Sequence, residues 1–181
     1  MLEWTVRTHC KEYELGGSFS ILLFFFKLPN VPDDPSKWPL DSHYIGAFHA
    51  MVDYPPEEGN EDRFISGFVH INEPILKRSP QQSPPSNALK VEHVVPFLKK
   101  NLYWGVMKVR TRELLPILLA TIAHSGRQAD GTVPDLSSFP SLEVMVMATP
   151  LTFYPGSEYP EAGEPVLYPE ITRGKPGEAK D

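Results

Sequence analysis

A single cysteine, Cys10, stands in the 181 residues of this chain. Disulfide frameworks and cysteine zinc sites both need thiols in pairs, so neither is available. Basic tracts are also missing. Lys77–Arg78 and Lys99–Lys100 are the adjacent cationic pairs, and the net charge is −6 with a pI near 5.5. Phosphate recognition requires a basic stripe, so no nucleic-acid partner is expected. The longest apolar run, Ile21 to Phe26, falls far short of the ~20 residues of a membrane-spanning helix, and no membrane role is expected. No basic segment leads into an apolar stretch near Met1, so no signal peptide is expected. With the lone thiol, this points to a reducing, cytoplasmic setting.

Catalytic signatures are equally scarce. The run Gly16-Gly17-Ser18-Phe19-Ser20 lacks the second glycine of a nucleophile elbow, and no phosphate-loop or dinucleotide pattern occurs. The six histidines at 9, 43, 49, 70, 93 and 124 include no pair at the three- or four-residue spacing that aligns two metal ligands on a helix. His43 and His49 share a strand face but lie about 20 Å apart at ~3.3 Å per residue, too far for one ion. His49 and His70 can meet across neighbouring strands, but a single pair is not a site. Glu57–Glu58 and Glu61–Asp62 are paired carboxylates in a turn, with no apolar enclosure to raise a pKa. Cys10 beside Lys11 reads as a small buried hydrophobe in preference to an activated thiol. The residues point to a non-catalytic chain without a metal or cofactor of its own.

Proline is abundant: 20 residues, about twice the ~5% average usage, predict many loops and short elements. Between them, 2–9 alternates Leu2, Trp4, Val6 and Thr8 against Glu3, Thr5, Arg7 and His9, as a half-buried strand does. Residues 18–28 lose that alternation and read as a strand covered on both faces. Further strands are expected at 43–54, 63–71, 102–110 and 141–149. Helices are expected at 91–101 and 112–126, loops at 29–39 and 78–87. The fold class is all-β with one or two short helices. The architecture expected is an antiparallel β-sandwich with proline-rich loops over 1–150, followed by a mobile Pro/Gly/Glu-rich tail over 151–181.

The landmarks "EWTVRTHCKEYELGGSFSILLFF", "DDPSKWP", "YIGAFHAM", "ISGFVHINEPIL" and "VEHVVPFLKKNLYWGV" follow one another in an order and spacing that resembles the C-terminal domain of fungal tyrosinases (polyphenol oxidases). The likeness covers residues 3 to about 110. It weakens over 111–135 and returns at "VPDLSSFPSLEVMV". The resemblance implies a β-rich cap over a separate catalytic domain, a helical bundle holding two copper ions through six histidines. That catalytic domain is the implied partner, in an intracellular fungal setting. The cap is expected to insert a placeholder side chain into the substrate pocket, to keep the enzyme latent until proteolysis, and to assist its folding. Tethering explains why a weakly binding side chain suffices, because its effective concentration is high. The candidates for that side chain are Tyr54, Phe64, Met51 and Phe48. Some family members carry a C-x-x-C pair here for copper delivery. "PPEEGNED" has no cysteine, so soft Cu(I) lacks its thiolate ligands and that role is not carried over.

Two other readings compete. One is an independent sandwich module binding an unrelated partner. The other is a hydrolase or metal enzyme whose site assembles from distant residues. The cap reading expects an exposed apolar patch around 44–68, and the enzyme reading expects a deep pocket with clustered titratable groups. Self-association through the apolar strands is left open.

Overall fold

The alternation in the first strand sets the layout. In the computed structural model, β1 (Leu2–Lys11) turns Trp4, Val6, Thr8 and Cys10 inward, all fully buried. The structure describes residues 1–26, 35–52, 58–59, 62–78, 85–108, 136 and 139–180. The expected helix at 112–126 lies outside them.

A turn at Tyr13–Gly17, with Gly16 at φ +67°, carries the chain into β2 (Phe19–Phe25). Every residue of β2 is buried, as the unbroken apolar run implies. β2 is the centre of a three-stranded sheet between β3 (Tyr44–Ala50) and β5 (Leu102–Lys108). β1 lies inside a five-stranded sheet, between β4 (Phe64–His70) and β6 (Glu143–Thr152). Two short strands, β7 (Glu161–Ala162) and β8 (Val166–Leu167), pair with β6 at the far side. All the strand pairs are antiparallel. The all-β antiparallel expectation therefore holds.

The sheets face each other across one core. Trp4 and Val6 meet Phe19, Ile21, Leu23 and Phe25, with Val106, Val144 and Val146 closing the layer. Phe19 and Phe139 add an edge-to-face contact at 5.3 Å. The opposite face of β2 has a cover of its own. The expected loop at 29–39 ends in a 3-10 helix, Pro35–Leu40, which lays Trp38 over Leu22 and Phe24. Gly105 makes room for it, because a Cβ there would stand 2.9 Å from Cζ3 of Trp38.

Helix α3 (Val91–Asn101) buries Val94 and Leu98 at one end of the core and runs directly into β5. Pro96 is tolerated because it sits on the exposed side, where its missing N–H costs least. Two helices were not expected. α2 (Pro85–Ala88) is one short turn, and α1 (Asn72–Arg78) buries only Ile75, too little for periodicity to reveal. The first residue of α1 does more. Asn72 accepts the Trp4 N–H through Oδ1 at 2.7 Å and donates to the Leu2 carbonyl at 2.9 Å. The Trp4 indole N–H donates to the Leu89 carbonyl at 2.8 Å, so β1, α1 and the approach to α3 share one anchor.

The expectation of a mobile tail over 151–181 is corrected for its last part. Ile171 and Thr172 are fully buried, and Ile171 belongs to the main core. Tyr168 packs on Trp4 at 5.1 Å. The Lys175 ammonium donates to the Leu102 carbonyl at 2.9 Å beneath the Tyr103 and Trp104 rings, and the Trp104 indole donates to the Pro176 carbonyl at 2.9 Å. Burial pulls the Lys175 pKa down. The segment is polar in composition, but it closes the open end of the sandwich with a few well-placed contacts.

Ile171→Ala is therefore expected to destabilise the domain by about 2–5 kcal/mol, as at a core position. Urea unfolding of the two proteins measures it, and an unchanged midpoint would mean that the segment does not belong to the core.

Candidate interaction site between β3 and β4

β3 and β4 are the outer strands of different sheets, and the passage joining them is described at 51–52, 58–59 and 62–63. Both ends of this passage are fixed. At the first, inward–outward alternation continues past β3, with Ala50 and Val52 buried and Met51 exposed. The Ser18 hydroxyl accepts the Val52 N–H at 3.0 Å. At the second, the Glu12 N–H donates to the Arg63 carbonyl at 2.8 Å, and the Arg63 guanidinium pairs with the buried Glu12 carboxylate at 2.8 Å. Lys11 closes on Asp62 at 2.5 Å, a contact that raises the Lys11 pKa and lowers that of Asp62.

The candidate side chains fall in different places. Met51 is 61% exposed at the first end and Phe64 48% exposed at the second. Phe64 stacks on His9 with ring centres 4.9 Å apart, and Lys11 lies 6.0 Å from the ring. Phe48 turns inward and packs over Gly67 of β4, where a Cβ would stand 2.1 Å from its ring. Tyr54 lies outside the described residues, as do Glu57 and Glu61; Glu58 and Asp62 are exposed. Met51, Phe64 and Phe68 thus expose apolar surface within the 44–68 region.

The histidines do not converge. His49 meets Ser20 at 2.7 Å on the outer face of the three-stranded sheet. His70 meets Thr5 at 3.2 Å and Glu3 at 3.3 Å on the outer face of the other sheet. His49 and His70 do not pair across strands, because β3 and β4 belong to different sheets. His43 pairs with Asp41 at 2.7 Å, and the His43 backbone N–H chiefly holds the Asp41 carboxyl below its usual range. His9 pairs with Ser66 at 2.8 Å and His93 lies 3.5 Å from Glu92, whereas His124 is outside the described residues. Among the described residues, no group of three or more His, Cys, Asp or Glu could hold a metal ion. Cys10 is fully buried, and burial, helped by the Glu14 charge, pushes its thiol up to about 12.

The site as described has exposed apolar side chains on fixed strand ends, suited to contact with another surface. The pinning residues Ser18 and Glu12 were not evident in the sequence, since nothing local marks a serine that binds a backbone 34 residues away.

Comparison with known proteins identifies the family at this point. The model of the tyrosinase C-terminal domain matches residues 3–123. The chain belongs to that family. It is 24% identical to a tyrosinase of Neurospora crassa over 181 residues, covering 96% of this chain and 23% of that protein. Polyphenol oxidase 2 of Agaricus bisporus is 27% identical over 133 residues, covering 70% of this chain and 21% of its own length. Among solved structures, recombinant mushroom tyrosinase aligns over 93% of this chain and 25% of its own, with TM-score 0.56 and 21% identity. A crystal holding latent and active mushroom tyrosinase together gives TM-score 0.60 and 22% identity, over 94% of this chain and 26% of that one. The fold is thus shared with those structures. This chain spans about a quarter of the length of these relatives.

The depth of Cys10 yields a prediction. An aromatic disulfide reagent at pH 8 should leave the folded protein unlabelled and modify one thiol after denaturation. The raised pKa has a sign for stability: between 9.0 and about 12 the unfolded thiol loses its proton while the folded one keeps it. Stability therefore falls as pH rises through that window. Rapid labelling of the native protein would show that the thiol is accessible.

Proposed function

We propose that this chain is the non-catalytic cap of a fungal tyrosinase: it covers the dicopper site of the catalytic domain and holds the enzyme latent until proteolysis removes it. Family membership supports the partner, and the fold shared with a tyrosinase crystallised in latent and active forms supports latency. The observation that carries the reading is the passage between β3 and β4. It is fixed at Val52 and at Asp62–Arg63, with apolar side chains of Met51 and Phe64 presented beside those anchors.

The physical logic is competition. A side chain held near the pocket mouth occupies it without strong intrinsic affinity, because the tether and the surrounding contact supply the local concentration. A fixed loop loses less conformational entropy on docking than a free one, so the anchors increase affinity. In this reading Met51, Tyr54 and Phe64 are the candidates for the blocking side chain, while Phe48 supports the strand beneath them. Among the described residues no group of three His, Cys, Asp or Glu could hold copper, and in this reading catalysis belongs to the partner domain. Its contribution is shape, tethering and protection of the apolar mouth while the enzyme folds.

Titration of the chain into activated tyrosinase lacking its own cap tests the proposal. Saturable, phenol-competitive inhibition is expected. Tyr54→Ala, Met51→Ala or Phe64→Ala should weaken it, and the true placeholder should do so by about tenfold or more. Absence of inhibition by both the free chain and a covalent fusion to the enzyme would contradict the reading.

A further inference from the structure

The outer face of the five-stranded sheet holds an arginine with an unpaired Nε among the described residues. Arg7 lies between Phe68 on β4 and Met145 on β6, directly across the register. Its Nε–H is buried and donates to no hydrogen-bond partner among the described residues. Phe68 beside it is 54% exposed. In the next row, His70, Thr5 and Met147 lead across to Leu167 of β8, which is also exposed. An arginine between buried Met145 and exposed Phe68 has the composition of an interface centre, where arginine and aromatic residues dominate binding.

The far side of the same sheet carries the complementary surface. Residues 152–159 and 161–167 are exposed throughout, although β7 and β8 hold them to β6. This stretch presents Phe153, Tyr154 and Tyr159 with Glu158, Glu161 and Glu164, and contains no lysine or arginine. Exposed aromatics on the connection between β6 and β7, with carboxylates among them, complement the Arg7 side chain and Phe68.

We propose that the outer face of the five-stranded sheet is a self-association surface, in which Arg7 and Phe68 of one copy receive the acidic, aromatic 153–164 segment of a second. The sheet order supplies the geometry. β4 lies at one side and β7 and β8 at the other, so a two-fold axis parallel to the strands lays the β4 side of one copy over the β7–β8 side of its partner. Every contact then forms twice, as closed two-fold symmetry demands. The inference uses this chain alone and does not rest on the cap reading.

Sedimentation velocity over a concentration series tests it with the full chain, Arg7→Glu, Phe68→Ser, Glu161→Arg and the double variant Arg7→Glu/Glu161→Arg. Thermal unfolding verifies that each is folded. The expected result is a monomer–dimer equilibrium that each single variant weakens by about tenfold or more and that the double charge exchange partly restores. A chain monomeric up to high micromolar concentration overturns the proposal, as does a dimer indifferent to Arg7→Glu and Phe68→Ser. A monomeric chain whose Arg7→Glu variant loses inhibition of tyrosinase overturns it too, by assigning this face to the enzyme.

Discussion

The rest of the structure depends on β2 being buried on both of its faces. Phe19, Ile21, Leu23 and Phe25 fill the space between the sheets, while Leu22 and Phe24 point the other way and must be covered as well. Each large apolar side chain contributes about 1.5–3 kcal/mol when fully withdrawn from water. A strand of this composition is therefore stable only as the middle of a layered structure. β3 and β5 flank it, the β1 sheet covers one side, and Trp38 covers the other from a segment that composition alone marks as a loop. Gly105 follows from the same need, since a side chain there would displace the Trp38 ring.

That constraint also places the candidate site. With β2 at the centre of its sheet, β3 becomes an outer strand, and β4 pairs with β1 at the matching side of the other sheet. The connection between them has to cross from one layer to the other, and polar anchors at Ser18, Glu12 and Lys11 fix where it leaves and returns. Phe48 packing into the space over Gly67 joins the two layers just behind it. The Ser18–Val52 contact acts within the β2–β3 sheet and the Lys11–Asp62 and Glu12–Arg63 contacts within the β1–β4 sheet, whereas Phe48 over Gly67 joins the two sheets.

Much of the fold was legible in the sequence because its signals are local. The alternation of Leu2, Trp4, Val6 and Thr8, the unbroken run in β2, and the Val94–Leu98 face of α3 each fix an element without reference to anything distant. What was not legible depends on partners far along the chain. That β3 and β4 belong to different sheets, which separates His49 from His70, is a matter of topology and not of pattern. The burial of Ile171 behind a stretch rich in proline, glycine and glutamate is another such case, since three or four contacts outweigh a polar composition. The four candidate side chains came from the family likeness and not from any chemistry in the residues. The geometry then separates them, with Phe48 inward, Met51 and Phe64 outward and Tyr54 outside the described residues.

In the proposed cap, the β3–β4 side of the sandwich is the side that meets the enzyme. Hydrogen–deuterium exchange of this chain, alone and mixed with the tyrosinase catalytic domain, tests it most directly. Slowed exchange is expected on mixing at Met51–Val52 and Asp62–Phe64, with α3 and the Tyr168–Lys175 segment unchanged. Protection confined to α3 or to that segment, with the β3–β4 passage exchanging as in the free chain, would contradict it.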